Sequence, residues 1–356
     1  MDNIKDKLNK RWPMIICVFV VVGLALLIYS VTRPPGPQKV AQEYMEAMQN
    51  GDYTKAYKLT YCNKTSPLLN ERNFAAVAMK IDNFTIDYRD EERQLEQKAG
   101  ALIGDNEYLA SARQDYAVRV GYKGQISTHN LILVNRSADP KKPDWKVDIS
   151  DYVNSYTLEI GEGPSVKVAV DGIEMPVNNC TVELNGFKSK YTANITGKNI
   201  RPATVTLTKD DWNQSVDLLV SSALQSKLEK VIDGFNKADV LAITDLNMDH
   251  YKPYIKMDGV EGYNNIADKL EDKINDLKDN NTKINATLKS IKYEIAVFEN
   301  QDTVKLKDTE AWDNTMLHAD GTTEHNTNTI NWTYILEKQN NGTWLITEGT
   351  AKSLSL

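Results

Sequence analysis

Met48-Gln49-Asn50-Gly51-Asp52-Tyr53-Thr54-Lys55-Ala56-Tyr57 and, further on, Trp145-Lys146-Val147-Asp148 are the stretches that decide the fold. The first ends one helix at Asn50-Gly51 and starts another at Asp52, and the second closes a strand pair. A second pair of stretches has the same order: Phe235-Asn236-Lys237-Ala238-Asp239-Val240-Leu241-Ala242-Ile243, then Trp332 to Leu336 and Trp344-Leu345-Ile346. In this scheme Trp145 and Trp344 are corresponding residues. One small helix-and-sheet module used twice favours a scaffold or binding role over a single catalytic centre.

Around the first pair, Pro37 suits the first turn of a helix whose apolar face is Val40, Tyr44, Ala47 and Met48. Asp52 caps a short helix that carries Tyr53, Ala56, Tyr57 and Leu59 to Cys62, and a third is expected from Asn70 through Ile81, with Phe74, Val77, Ala78 and Ile81 on one face. After Asn83 the period becomes two, giving strands at Phe84–Tyr88, Tyr116–Tyr122, His129–Val134 and Trp145–Ile149. Residues 154–217 show only strand patterns punctuated by Asp171-Gly172 and Asn185-Gly186, the composition of hairpins. From Leu218 a helical period returns in Leu224, Leu228, Val231, Ile232 and Phe235, and a shorter helix is expected from Ala238 to Leu246. A third, near Tyr263, carries the stripe Ile266, Leu270, Ile274 and Leu277. Strands follow at Ile284–Val297, Thr303–Lys307, Thr329–Glu337 and Thr343–Glu348, with Asn340-Asn341-Gly342 as a turn.

Met14 to Val31 contains no charge, and as a helix of about 27 Å it matches a hydrocarbon core. Lys5, Lys7, Lys10 and Arg11 precede it, so the positive-inside bias keeps the N-terminus cytoplasmic and sends the rest outside. The exit Ile28-Tyr29-Ser30-Val31-Thr32-Arg33-Pro34-Pro35 lacks a small-residue cleavage site, which favours an uncleaved anchor over a signal peptide. The expected organisation is a cytoplasmic tail at 1–13, a transmembrane helix at 14–32, helix-over-antiparallel-sheet domains at 33–153 and 218–356, and a small all-β domain at 154–217. The fold class is therefore α+β with an N-terminal membrane span.

The whole chain carries a net charge of −7. Residues 1–33 hold five basic and two acidic side chains, a surplus of +3, so the remainder carries −10. An acidic ectodomain is a poor partner for nucleic acid. Cys62 and Cys180 fall in different expected domains without a paired spacing, which leaves a bridge between them open. No Gly-x-Ser-x-Gly, Ser-x-x-Lys, phosphate loop or dinucleotide fingerprint is present, so no catalytic residue and no cofactor is assigned. His318 and His325 flank Asp320, Gly321 and Glu324, but their spacing suits a polar hairpin tip better than a metal site. The acidic runs around Asp87–Glu96 and Asp268–Asp279 are interleaved with Lys and Arg, as on solvated faces. The aromatic residues Tyr57, Tyr88, Tyr116 and Trp145 in the first module, and Trp332 and Trp344 in the second, are the candidate pocket residues, with core filling as the alternative.

Asn50-Gly51-Asp52-Tyr53-Thr54-Lys55-Ala56-Tyr57 with Trp145-Lys146-Val147-Asp148-Ile149-Ser150 resembles the nuclear transport factor 2-like fold, as found at the N-terminus of penicillin-binding proteins of the methicillin-resistance type. Trp332-Thr333-Tyr334-Ile335-Leu336-Glu337 and Trp344-Leu345-Ile346 resemble it more loosely. The order of anchor, α+β module, β module and α+β module is similar to envelope proteins of the TcaA type, although the N-terminus lacks the cysteines of their cytoplasmic zinc ribbon. The resemblance implies a cone-shaped, non-catalytic spacer or binding domain in a Gram-positive envelope, in contact with a wall polymer, an antibiotic or an envelope protein. The rival expectation is a structural subunit of a conjugation or secretion channel.

Overall fold

The structure, a computed structural model, describes residues 35–88, 113–137, 142–257 and 265–354. The expected membrane span, its flanking Lys5, Lys7, Lys10 and Arg11, and most of the acidic run after Asp87 lie outside these residues. Among the described residues, no helix is long and apolar enough to cross a membrane. The chain divides into two compact units, one of the residues up to Asn154 with Asn185–Lys188, the other of Ser155–Leu184 with the residues from Ser189 onward.

In the first unit, helix α1 (Pro37–Asn50) starts on Pro37 and stops at Gly51, whose left-handed backbone (φ 73°) lets its N–H bond back to Ala47 and Met48. Asp52 then accepts from the Lys55 N–H at 3.0 Å and caps helix α2 (Tyr53–Lys58), the cap expected from sequence, but the helix stops short of the expected Cys62 because Thr60-Tyr61 pairs with the sheet. Helix α3 (Glu71–Val77) ends four residues before the expected Ile81, because Ala78 is already extended. Ile81 still reaches the core, on the stretch that leads into β2. Strands β1 (Thr60–Tyr61), β2 (Asn83–Asp87), β3 (Arg113–Tyr122), β4 (Gln125–Asn135) and β5 (Trp145–Asp148) form one sheet in the order β1-β5-β4-β3-β2. It is an antiparallel meander except for β1, which pairs in parallel with β5 through Thr60 and Val147. The helices bury Val40, Ala41, Tyr44 and Phe74 against Tyr116, Val118, Leu133 and Val147 of the sheet. This is a single layer of helices on one sheet face.

The second unit opens with two small sheets. Strands β6 (Asn154–Ile160), β7 (Lys167–Val170), β8 (Ile173–Met175), β9 (Thr181–Gly186), β10 (Lys190–Thr196), β11 (Ala203–Thr208) and β12 (Asn213–Val216) pair as β11-β10-β7-β8 and β12-β6-β9. Alternate residues of both sheets are buried, and Tyr156 of β6 meets Tyr191 of β10 edge to face at 5.5 Å. Asp171-Gly172 turns the chain with both φ positive, as its sequence predicts. Asn185-Gly186 does not turn, because β9 runs through it. The turn lies before β9, at Asn179-Cys180, where both φ are positive. Cys62 and Cys180 are free thiols.

Helix α4 (Ser222–Asp245) is continuous for 24 residues, where two helices were expected. Asn236 explains the difference. Its side chain is buried and bonded to the sheet, so it does not compete for the helix backbone. The helix stops at Leu246, left-handed at φ 51°, and Asn247 caps the 3-10 turn that follows by accepting from Asp249 N–H at 3.0 Å. Leu246-Asn247 is thus the structural equivalent of Gly51-Asp52, some way beyond the stretch that suggested the repeat. Helix α5 (Ile266–Asp279) carries its expected apolar stripe. Strands β13 (Lys283–Tyr293), β14 (Val297–Phe298), β15 (Thr303–Leu317), β16 (Thr323–Lys338) and β17 (Trp344–Leu354) form the sheet β13-β15-β16-β17, with β14 paired to β15. Ile255, after the helix, bridges in parallel to Ile346, two residues past Trp344. Thr60 does the same to Val147, two residues past Trp145. The repeat therefore holds at the level of strand register.

Candidate functional site

Strand β15 is three times and β16 nearly twice as long as expected from sequence, and the additional length builds a cavity. On β15 the residues facing the helices are Leu306, Asp308, Glu310, Trp312, Asn314 and Met316 in strict alternation. On β16 they are Tyr334, Trp332, Ile330, Asn328 and Asn326, with Glu310 opposite Ile330, Trp312 opposite Asn328 and Asn314 opposite Asn326. Register shifts at Leu288/Ser290 and Ile335/Leu336 mark bulges, which bend strands. Phe235, Asn236 and Asp239 of α4, with Ile266, Lys269, Leu270 and Lys273 of α5, close the other side. The enclosed volume is about 420 Å³. Burial falls from Glu310 and Tyr334, each 1% exposed, toward Met316 and Asn326 near the hairpin, so the closed end is polar and the walls are aromatic.

Glu310 sits at that closed end with both oxygens engaged. Asn236 Nδ2 donates to Oε1 at 2.6 Å and Trp312 Nε1 donates to Oε2 at 2.8 Å. Burial pushes its carboxyl above the usual range, and hydrogen bonds from Trp312, Asn236 and Tyr334 pull against that. Asp239 accepts from the Tyr251 hydroxyl at 2.6 Å and from Lys273 Nζ at 3.1 Å. Behind the cavity, Asp308 is 2% exposed and neither carboxylate oxygen has a hydrogen-bond partner. Burial, reinforced by the neighbouring Glu310, pushes its pKa up to about 8. Tyr293 donates to Asp233 at 2.6 Å. Burial first, then these carboxylates, hold the hydroxyls of Tyr251, Tyr293 and Tyr334 well above the ordinary tyrosine value. Asn328 lines the cavity, while its Oδ1 is out of solvent and without a hydrogen-bond partner.

Of the residues singled out from sequence, Trp332 lines this cavity and stacks on Tyr334 at 5.3 Å. Trp344 is buried at the start of β17. In the first unit Tyr57 donates to the Leu69 carbonyl at 2.7 Å and tilts against Phe74, while Tyr88 meets Tyr116 edge to face at 5.2 Å. Trp145 is half-buried against the same core. A separate apolar groove of about 260 Å³ in that unit is lined instead by Tyr44, Met45, Met48, Met79, Leu131 and Phe187, among others. His318 and His325 flank a hairpin turn with Gly321 at φ 84°. Among the described residues, no cluster of His, Cys, Asp and Glu could hold a metal ion. Glu310, Asp239 and Asn236 were not singled out from sequence. The available signal was an acid falling in phase with the apolar positions Leu306 and Trp312.

No protein-family model matches the chain, and no curated protein matches its sequence. Several solved structures are similar to part of it. The intermembrane-space region of the chloroplast protein ARC6 is 15% identical with a TM-score of 0.32, over 36% of this chain and 96% of that one. A nuclear transport factor 2-like superfamily protein from Salmonella enterica is 15% identical with a TM-score of 0.30, over 37% and 94%. A ketosteroid isomerase-like protein from Erwinia carotovora atroseptica is 13% identical with a TM-score of 0.28, over 38% and 100%. Each likeness extends over little more than a third of the chain.

Proposed function

We propose that this chain is a single-pass, membrane-anchored binding protein of a Gram-positive envelope, non-enzymatic, with its domains outside the cell, serving in the response to wall-directed antibiotics. On this reading its modules have the nuclear transport factor 2-like fold, and the cavity of the C-terminal module is the ligand site. The observation that carries the reading is the cavity itself: about 420 Å³, walled by Trp312, Trp332, Ile330 and Met316, with a few polar groups converging at one end. That is the composition of small-molecule sites. Both oxygens of Glu310, and Asp239 as well, are held by the chain's own donors, which suits them to orienting a ligand better than to moving protons. The anchor rests on the uncharged run Met14–Val31.

The test is calorimetric titration of the full chain in lipid nanodiscs with 2-naphthol, a neutral flat probe, with empty nanodiscs subtracted. One saturable site is expected, lost when Ile330→Trp fills the cavity. Equal binding by the variant, or none by either protein, contradicts the assignment.

A further inference from the structure

We infer that the C-terminal cavity selects a cationic ligand, specifically a protonated amine carried on a flat apolar body, with Glu310 as its counter-charge. This deepens the ligand-site reading above and rests on it. The argument is one of matching charges and donors. Asp239 is already matched by Lys273 at 3.1 Å. Lys269, the other cation lining the cavity, donates to the Gly349 carbonyl at 3.1 Å. Glu310 is met by an amide, an indole and the Tyr334 hydroxyl, all neutral, and among the described residues no Lys, Arg or His forms an ion pair with it. A buried carboxylate without a counter-charge is costly, and a cation placed beside it recovers that cost.

The aromatic walls set the same preference. The Trp312 and Trp332 side chains line the same space, and Trp332 stacks on Tyr334 with 15° between the planes. Indole and phenol faces attract cations and pack flat rings, so they serve both ends of an aromatic amine. An anion would be set against the Glu310 carboxylate.

The experiment compares three indoles of nearly equal shape on the full chain in nanodiscs: tryptamine, tryptophol and indole-3-acetate, with 2-naphthol as the neutral reference. Tryptamine is expected to bind at least about tenfold more tightly than tryptophol. Indole-3-acetate should bind more weakly than either. Glu310→Gln keeps an acceptor for Asn236 while removing the charge, and should reduce the preference for tryptamine over tryptophol to less than about threefold. Should that variant fail to fold, Trp332→Leu removes an aromatic wall without touching Glu310, and is expected to weaken tryptamine more than 2-naphthol. Equal affinities for the three indoles alongside 2-naphthol binding would overturn the charge preference and leave the ligand site standing. Absence of binding by all four compounds would overturn both.

Discussion

Asp308 is the residue where burial and charge conflict most openly. With a folded pKa near 8 and an ordinary value of 3.8, it stays protonated in the folded chain over a range where the unfolded chain has released the proton. The folded state then binds more protons than the unfolded one, so stability falls as pH rises between about 4 and about 8, by about 1.4 kcal/mol per pH unit from this group alone. Asp308→Asn removes that dependence. Urea unfolding at pH 5, 6 and 7 should show a flatter profile and a more stable variant at pH 7; an unchanged slope would remove Asp308 from the account. At this scale the sequence was least legible. Glu310 and Asp308 look like surface charges when read one by one, and only their phase with Leu306 and Trp312 places them inside. Expecting β15 to stop at Lys307 hid that phase. The aromatic residues were legible as buried or half-buried, yet Trp332 alone of the six faces the larger cavity.

At the scale of elements, helix α4 shows why a local signal misleads. Gly234 lies in its middle, where alanine would add about 1 kcal/mol of helix propensity. A Cβ there would lie 2.2 Å from Tyr254 Cε1, inside the ring's own volume. Tyr254 also holds the strand edge, since its carbonyl accepts from Ile346 N–H at 2.8 Å. Overpacking should win over propensity, and Gly234→Ala is expected to destabilise the chain by roughly 1–3 kcal/mol in thermal or urea unfolding. A stabilised variant would mean that the ring moves aside freely. Thr60-Tyr61, expected in a helix, is instead a strand, and two expected helices are one. Most elements were legible in type and order, because amphipathic period and turn residues are local. Boundaries were not: Val77 and Ile81 share a helical spacing, but Ala78 breaks the helix between them. Asn185-Gly186 has the composition of a turn yet continues a strand.

At the scale of the whole molecule, the duplicated module is defined by register. The parallel pairs Thr60 with Val147 and Ile255 with Ile346 fix Trp145 and Trp344 as equivalents more firmly than the sequence repeat that suggested them. The two copies have diverged in what they enclose. The first holds an apolar, methionine-rich groove of about 260 Å³, and the second a larger cavity with acids at its closed end. The proposed topology, with a short cytoplasmic tail and everything after Pro34 outside, predicts that protease added to intact protoplasts removes nearly the whole chain; survival of the full-length protein would reverse the orientation. The divergence between the copies also supplies the most direct test of the ligand site. Met316 lines the second cavity, whereas Met45, Met48 and Met79 line the first groove. Methyl-labelled methionine spectra of the full chain in nanodiscs, assigned by single Met→Leu variants and titrated with 2-naphthol, should show Met316 shifting to saturation while Met45, Met48 and Met79 stay in place. Shifts confined to the first-groove methionines, with Met316 unmoved, would contradict the account.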